Sequence, residues 1–214
     1  MALIGISGKI GVGKDTVGEI IQELCLSNHG PVFEVKKFAG KLKQIASLLT
    51  GIPVEDFEDQ EFKKSYLGAE WGIVQDIPLN SIPPFADMQF NALMSVRELL
   101  QKLGTEAIRD GLHPNAWVNA LMCDYKRPKM SEYNPSNWII TDMRFPNEME
   151  AVEDVKGLTL KVVRPVEKSK TPVRLHPSET SLDKAEFDYT IINDGSIEDL
   201  IEKVRQILIT EKII

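Results

Sequence analysis

The feature that most constrains this fold is a glycine-rich segment near the start of the chain, Gly8-Lys9-Ile10-Gly11-Val12-Gly13-Lys14-Asp15-Thr16. It follows a short apolar run over residues 2–6 and precedes apolar residues at helical spacing from Val17 onward. A strand, a glycine-rich turn and a helix, in that order, are the context that a phosphate-binding loop requires. Glycine lacks a Cβ atom, so the backbone can bring its N–H groups onto phosphate oxygens beside the positive helix end. The segment predicts a nucleotide phosphate site in which Lys14 supplies a mobile cation.

The residue after this lysine departs from the usual pattern, in which a Ser or Thr hydroxyl binds Mg²⁺. Asp15 stands there and Thr16 follows it. A carboxylate beside a magnesium nucleotide could hold the metal, directly or through water. It could also orient or deprotonate an attacking group. The simpler alternative is an acid that opens the helix and offsets its dipole.

Length and composition bound the class of protein. The chain has 214 residues, 43% of them hydrophobic, which suits one α/β domain with an excursion, or a core with a small lid. Its net charge of −7 and pI near 5.1 argue against binding to a nucleic acid polymer. Cys25 and Cys123 lie in apolar helical patterns and are expected to be reduced core residues, which favours the cytoplasm. We expect no signal peptide and no membrane-spanning segment.

Short apolar runs alternate with helical patterns along the chain. The later strands are predicted at about residues 32–35, 138–141, 158–163 and 189–192. This alternation predicts a parallel sheet with helices on both faces. Ligands of such sheets bind beyond the carboxyl ends of the strands. The glycine-rich segment, Asp142 and the turn Asn193-Asp194-Gly195 are therefore expected on one rim.

Residues 53–93 are less regular, rich in both proline and aromatic residues. We predict a short helix at about 54–64, followed by a loop or hairpin. The segment is either a flap on the substrate side or a surface excursion packed on the core, and its pattern favours neither.

Two groups of polar residues are candidates for the chemistry. Asp142 closes an apolar strand, where an acid can hold the hydration shell of Mg²⁺, and Arg144 can fork onto phosphate oxygens. The alternative is a helix-capping acid and a surface arginine. Arg97 and Gln101 share one face of a helix, and Arg109 follows beyond Gly104, which permits a bend. They could bind a phosphate and a base, or form a solvated helix surface.

A basic loop separates the last two strands and contains Arg164, Lys168, Lys170 and Arg174. Mobile cations that close over a γ-phosphate stabilise phosphoryl transfer. Most such charge runs are simply solvated. His176 lies in the same loop and is expected to have no catalytic role.

Several motifs along the whole chain resemble phage-type deoxynucleoside monophosphate kinases, within the P-loop nucleoside-monophosphate kinase superfamily. They are Gly13-Lys14-Asp15-Thr16, Phe38-Ala39 before Lys41, the Leu100 to Arg109 segment, Asp142-x-Arg144-Phe145-x-Asn147-Glu148, His176-x-Ser178-Glu179 and Asn193-Asp194-Gly195. The resemblance implies a five-stranded parallel core over about 1–50 and 114–214, a nucleotide-binding insertion over about 51–113, and a lid over about 164–185.

The resemblance also implies roles for particular residues. Those implied to bind ATP are Gly8, Lys9, Gly11, Val12, Gly13, Lys14, Asp15, Thr16, Asn193 and Gly195. Those implied to bind the acceptor are Phe38, Lys41, Arg97, Gln101, Arg109 and Asp142. Lys14, Asp15 and Arg144 are the implied catalytic residues, and Asp15, Thr16 and Asp142 the implied Mg²⁺ ligands.

The leading hypothesis is therefore an ATP- and Mg²⁺-dependent transfer of phosphate to a (deoxy)nucleoside monophosphate. A P-loop kinase for another phosphorylated acceptor, such as dephospho-coenzyme A, is one alternative. A nucleotide-binding regulator without transferase activity is another. A homodimer is expected only from the base rate for proteins of this size.

Overall fold

A parallel β-sheet forms the centre of the computed structural model, which describes residues 2–68, 71, 93–126, 137–165 and 180–214. Its strands are β1 Leu3–Ser7, β2 Phe33–Lys36, β3 Asn137–Met143, β4 Leu158–Val163 and β5 Tyr189–Ile192. Among the described residues the strand order is β2-β3-β1-β4-β5, and every pairing is parallel. The predicted five-stranded α/β fold is confirmed. The chain order reverses beside β1, where ligands of such sheets bind.

The α-helices within the described residues alternate with these strands along the chain, as the helical patterns predicted. They are α1 Lys14–Ser27, α2 Gly40–Thr50, α3 Val96–Gln101, α4 Ala116–Lys126, α5 Pro146–Glu153 and α6 Ile197–Thr210. Two short 3₁₀ helices, Val54–Glu58 and Phe62–Lys64, replace the single helix predicted over 54–64. The Asp59 carboxylate accepts hydrogen bonds from the N–H groups of Glu61 and Phe62, at 2.6 and 2.9 Å, and so interrupts the helix.

The helix that contains Arg97 and Arg109 changes its winding part way along. Helix α3 ends at Gln101, and a π-helix continues it over Lys102–Asp110. The sequence predicts a bend or a close approach at Gly104. The structure shows a close approach, because a Cβ atom there would lie 2.8 Å from Leu42 Cδ2.

Helices cover both faces of the sheet because successive strand residues point to opposite sides. Ile4 and Ile6 of β1 pack with α1 and α6, whereas Leu3 packs with α4 and α5. Cys25 is buried in the first of these cores, as predicted. Cys123 is exposed, contrary to the prediction, because it lies outside the apolar stripe of α4 that Val118, Leu121, Met122 and Tyr125 form.

The chain divides into two compact units, which we call the core unit, Met1–Phe38 with Trp117–Ile214, and the helical unit, Ala39–Ala116. The helical unit has its own small core, in which Phe57 is fully buried. A short antiparallel bridge there joins Tyr66 to Ser95. Part of the aromatic-rich segment therefore forms the hydrophobic core of the helical unit. In the described stretches we find no helix with the length and apolarity needed to span a membrane.

Candidate active site

The glycine-rich segment forms the predicted turn between β1 and α1. Gly13 has φ 101°, a left-handed conformation that favours glycine, and α1 begins at the next residue. A Cβ atom on Gly8 would lie 2.4 Å from the Val162 carbonyl oxygen of β4. The loop therefore needs glycine at one position for its backbone angle and at another for close packing on a neighbouring strand.

The Lys14 ammonium lies over this loop. Its Nζ donates hydrogen bonds of 2.7 Å to the carbonyl oxygens of both Gly8 and Lys9. The sequence prediction that Lys14 places a cation at the loop agrees with this geometry. The same cation that bonds two carbonyl oxygens can bond phosphate oxygens in their place.

Asn193 supports the loop from the carboxyl end of β5. Its Nδ2 donates a 2.9 Å hydrogen bond to the Val12 carbonyl oxygen, and its backbone N–H donates to Val163 at 2.7 Å. The residue is only 7% exposed, and a Cβ atom on Gly13 would lie 2.8 Å from Nδ2. The structure thus places Asn193 against the backbone of the loop, and its implied ATP contact stays a prediction.

Gly195 has a local structural requirement of its own. A Cβ atom on it would lie 2.4 Å from Asp199 Oδ2. That carboxylate accepts a 2.9 Å hydrogen bond from the Ser196 N–H in the capping box that begins α6. The turn therefore packs directly on the start of the last helix.

Two side chains from distant parts of the chain hold Asp15, one in β3 and one just after β2. Thr141 of β3 is only 1% exposed, and its hydroxyl donates a 2.7 Å hydrogen bond to Asp15 Oδ1. Lys37, which follows β2, places Nζ 3.5 Å from the same oxygen. Desolvation raises the pKa of Asp15, but the hydrogen bond from Thr141 and the charges of Lys37 and Lys14 outweigh it, so the pKa lies below its ordinary value.

Asp15 is therefore an anion at neutral pH, in the first turn of α1. Sequence reasoning missed both of its partners. Thr141 lies in an apolar strand whose pairing with β1 and β2 only the fold reveals. Lys37 lies beside the Phe38-Ala39 motif, and this adjacency is the one signal that could have drawn attention to it.

Asp142 and Phe38 join the ends of β3 and β2. The Phe38 backbone N–H donates a 2.8 Å hydrogen bond to Asp142 Oδ1. The phenyl ring of Phe38 is 2% exposed and belongs to the core on the α4 and α5 side of the sheet. Both residues thus have structural roles, and their predicted contacts with acceptor or metal stay predictions.

Arg144 follows β3 and lines a cleft of about 750 Å³ in the core unit. Glu148, a buried acid in the first turn of α5, accepts hydrogen bonds from the backbone N–H groups of Arg144 and Phe145 at 2.6 and 3.0 Å. The cleft is also lined by the glycine-rich loop from Gly8 to Val12 and by Arg164. Three of the predicted cationic residues, Lys9, Arg144 and Arg164, therefore meet in one cleft.

Lys161 lines the same cleft and was not predicted. Its Nζ donates hydrogen bonds of 3.2 Å to the carbonyl oxygens of Leu182 and Asp183, and lies 5.3 Å from the centre of the Phe187 ring. A lysine inside the apolar strand β4 is the sequence signal that could have identified it. Of the predicted lid, Lys168, Lys170 and Arg174 lie outside the described residues, as does His176.

In the helical unit a capping box begins α3. The Ser95 hydroxyl accepts from the Glu98 N–H, and the Glu98 carboxylate accepts from the Ser95 N–H at 2.7 Å. Arg97 donates a 3.4 Å hydrogen bond to Gln60, and it shares a helix face with Gln101, as predicted. Arg109 lies near the end of the π-helix. Lys41 lies in the first turn of α2.

Comparison with known proteins points to the same kinase family that the sequence motifs resemble. The family model for deoxynucleotide monophosphate kinase matches residues 59–204. The deoxynucleoside-5′-monophosphate kinase of Escherichia phage T5 is 25% identical in an alignment that covers 89% of this chain and 89% of its own length. The deoxynucleotide monophosphate kinase of Enterobacteria phage T4 is 35% identical over 53% of this chain and 45% of its own length. The corresponding protein of Escherichia phage RB69 is 31% identical over 55% of this chain and 46% of its own.

Proposed function

Because this chain belongs to the deoxynucleotide monophosphate kinase family, we propose that it transfers the γ-phosphate of ATP to the 5′-phosphate of a deoxynucleoside monophosphate. The observation that carries the proposal is the phosphate-binding loop between β1 and α1, with the Lys14 ammonium over its carbonyl oxygens. The cleft beside the loop, about 750 Å³, falls within the range of small-molecule sites.

The donor nucleotide would be held by the backbone of the loop. Its N–H groups and the N-terminus of α1 present partial positive charge to phosphate oxygens, and Lys14 adds a full charge. Lys9, Arg144 and Arg164 line the adjoining cleft and would offset the remaining charge of ATP. Asn193 and Gly195, the other ATP-binding residues of the proposal, lie at the end of β5 that supports this loop.

The residues around Asp15 fit a magnesium ion that arrives with the nucleotide. Mg²⁺ prefers oxygen ligands and is usually bound by one or two carboxylates together with substrate phosphates. Asp15 is ionised at neutral pH, and Thr16 and Asp142 would supply further oxygen ligands, directly or through water. When bound, the ion would neutralise charge that develops on the phosphates.

In the reaction an oxygen of the acceptor's 5′-phosphate attacks the γ-phosphorus of ATP in line. The new O–P bond forms as the bond from the γ-phosphorus to the bridging oxygen breaks, and ADP leaves with that electron pair. The attacking oxygen is already an anion, so no general base is required. The protein contributes mainly position and charge neutralisation. Arg144 is proposed to bond the phosphoryl group during transfer, because a guanidinium can contact two oxygens at once.

The remaining predicted residues are proposed to bind the acceptor, the deoxynucleoside monophosphate. We propose that Arg97 and Arg109 bind its phosphate, that Gln101 recognises its base, and that Lys41 and Phe38 contribute to the same nucleotide. The lid is proposed to consist of Arg164 with Lys168, Lys170 and Arg174. Both substrates are small soluble nucleotides, which favours the cytoplasm, that of the host for a phage-encoded chain. A homodimer stays an expectation, to be checked by light scattering.

The test is a panel of acceptors incubated with Mg²⁺ and ATP, with ADP release and product formation measured. The panel contains dGMP, dTMP, dCMP and dAMP, their ribose counterparts, and dephospho-coenzyme A. The proposal expects a deoxynucleoside diphosphate as product. Transfer to dephospho-coenzyme A alone would show a kinase with another acceptor. Tight ATP binding without transfer to any compound would indicate a regulator.

A further inference from the structure

The carboxylate of Asp15 creates an electrostatic problem that the usual phosphate loop lacks. Loops of this pattern place a neutral hydroxyl after the lysine, whereas here an anion stands in the first turn of α1. ATP brings several negative charges to the same place. Like charges that approach within a few ångströms repel each other unless a cation lies nearby.

Lys37 lies at the position needed to offset that charge. Its Nζ is 3.5 Å from Asp15 Oδ1, and its side chain is 29% exposed. The next residue, Phe38, donates its backbone N–H to Asp142, which ties the chain at this point to β3. The backbone that carries Lys37 is therefore anchored to the sheet.

Thr141 determines which way the carboxylate turns. Its buried hydroxyl bonds the same oxygen of Asp15, at 2.7 Å, that Lys37 approaches. Two groups from β3 and the end of β2 thus engage Oδ1 together.

We propose that Lys37 is a positioning residue of the kinase reaction, which balances the charge of Asp15 and holds that carboxylate beside the loop so that polyphosphate can bind. The inference rests on the proposed function, since it assumes that the loop binds ATP. Lys37 acts through Asp15 in this proposal and does not itself touch the phosphates.

A double-mutant cycle on binding tests this role. Affinity for ATP and for inorganic tripolyphosphate is measured by calorimetry, in EDTA and with Mg²⁺, for wild type, Lys37→Met, Asp15→Asn and the double variant. We expect Lys37→Met to weaken binding in EDTA about three- to tenfold, because one partly exposed compensating charge is lost. We expect no further loss when Lys37→Met is added to Asp15→Asn, since no anion is left to balance.

Three further measurements sharpen the test. Lys37→Arg should restore affinity, because it keeps the charge. The loss in Lys37→Met should be smaller with Mg²⁺ than in EDTA, because the metal then offsets Asp15. Lys36→Met is the matched control, since Lys36 ends β2 and pairs instead with Glu34 at 3.0 Å. Its affinity for tripolyphosphate should stay at the wild-type value.

An equal loss from Lys37→Met with and without Asp15 would overturn the proposal and make Lys37 a direct phosphate ligand. Unchanged affinity in Lys37→Met would overturn it too. Lys37→Gln serves as the neutral variant if Lys37→Met melts at a lower temperature than wild type. Failure of the proposed function is distinguishable, because the acceptor panel would then show no transfer to a deoxynucleoside monophosphate by wild type, whereas this cycle measures binding alone.

Discussion

The two units present their candidate binding groups in different ways. In the core unit the phosphate loop depends on residues far away in the chain: Val162 packs on Gly8, Asn193 bonds Val12, and Thr141 bonds Asp15. In the helical unit Arg97 and Gln101 share a face because they lie four residues apart on α3. A capping box between Ser95 and Glu98 begins that helix locally.

This difference indicates where each unit is sensitive to substitution. A site made from backbone N–H groups needs tertiary contacts to hold the backbone in shape. A site made from side chains on a helix needs mainly the helix itself. We therefore expect long-range contacts to control phosphate binding in the core unit, and local caps to control helix stability in the helical unit.

The largest effect is expected from Lys14→Met. Loss of the ammonium over the loop should lower phosphate transfer by about 10³-fold or more, because the cation stabilises charge on the transferring group. Initial rates with saturating ATP and acceptor measure this, and circular dichroism checks the fold. Lys102→Met, which removes an exposed lysine that pairs with Glu106 in the helical unit, is the control and should keep the wild-type rate. Normal turnover in Lys14→Met would remove the basis of the proposed mechanism.

The next largest effect is expected from a glycine substitution in the core unit, and a matched glycine substitution in the helical unit should have little effect. Gly8→Ala places a methyl group against the Val162 carbonyl oxygen, so the loop must shift. We expect ATP affinity to fall at least tenfold and stability to fall by about 1–3 kcal/mol. A Cβ atom on Gly40, at the start of α2, meets no atom within 4 Å, and Gly40→Ala should be neutral or stabilise by about 0.5–1 kcal/mol. Calorimetric titration and urea denaturation measure both, and equal effects would contradict the comparison.

Asn193→Ala should weaken binding of ATP and of inorganic tripolyphosphate by the same factor, about tenfold, because the lost bond to Val12 is worth about 1–1.5 kcal/mol. A residue that contacts the adenine ring would instead affect ATP alone. Asn28→Ala removes a similar side-chain bond, from Nδ2 to the Leu24 carbonyl oxygen at the end of α1. That control should leave tripolyphosphate binding unchanged.

Ser95→Ala should lower the free energy of unfolding by about 1 kcal/mol, the usual cost of losing an N-cap hydroxyl, without changing tripolyphosphate affinity. Ser196→Ala removes the corresponding hydroxyl from α6 of the core unit and should cost about the same. Denaturant titrations compare the two. A loss of tripolyphosphate affinity in Ser95→Ala would show that the local cap influences the phosphate loop.

The smallest effect is a change in the pKa of Glu98. The Ser95 backbone N–H and hydroxyl bond its carboxylate and lower the pKa below its ordinary value. Because the pKa is lowered in the folded state, ionised Glu98 contributes its full stabilisation of the folded protein at a pH above the ordinary pKa. That stabilisation is lost as the pH falls through the lowered pKa of the folded state. In Ser95→Ala the hydroxyl bond is missing, so the pKa should rise toward its ordinary value. Carboxyl NMR titration measures this, and an unmoved pKa would exclude the hydroxyl as a cause.

Much of the fold was predictable because its signals are local. Short apolar runs located the strands, and the glycine-rich segment located the turn between β1 and α1. The π-helix was not predictable, because sequence patterns are interpreted with the ordinary helical period and this segment departs from it. The close packing of Gly104 on Leu42 in the same segment is a tertiary contact. The exposure of Cys123 was missed because an apolar neighbourhood in sequence does not decide which face of α4 is buried.

By itself, the sequence determined that a strand, a glycine turn and a helix would follow one another, because glycine and apolar spacing act on adjacent residues. Only the tertiary structure decided which side chains support that turn. Thr141, Lys37 and Asn193 reach Asp15 and Val12 through the parallel register of separated strands. Hydrogen bonds and ion pairs act over a few ångströms, and only packing sets such distances between residues far apart in the chain.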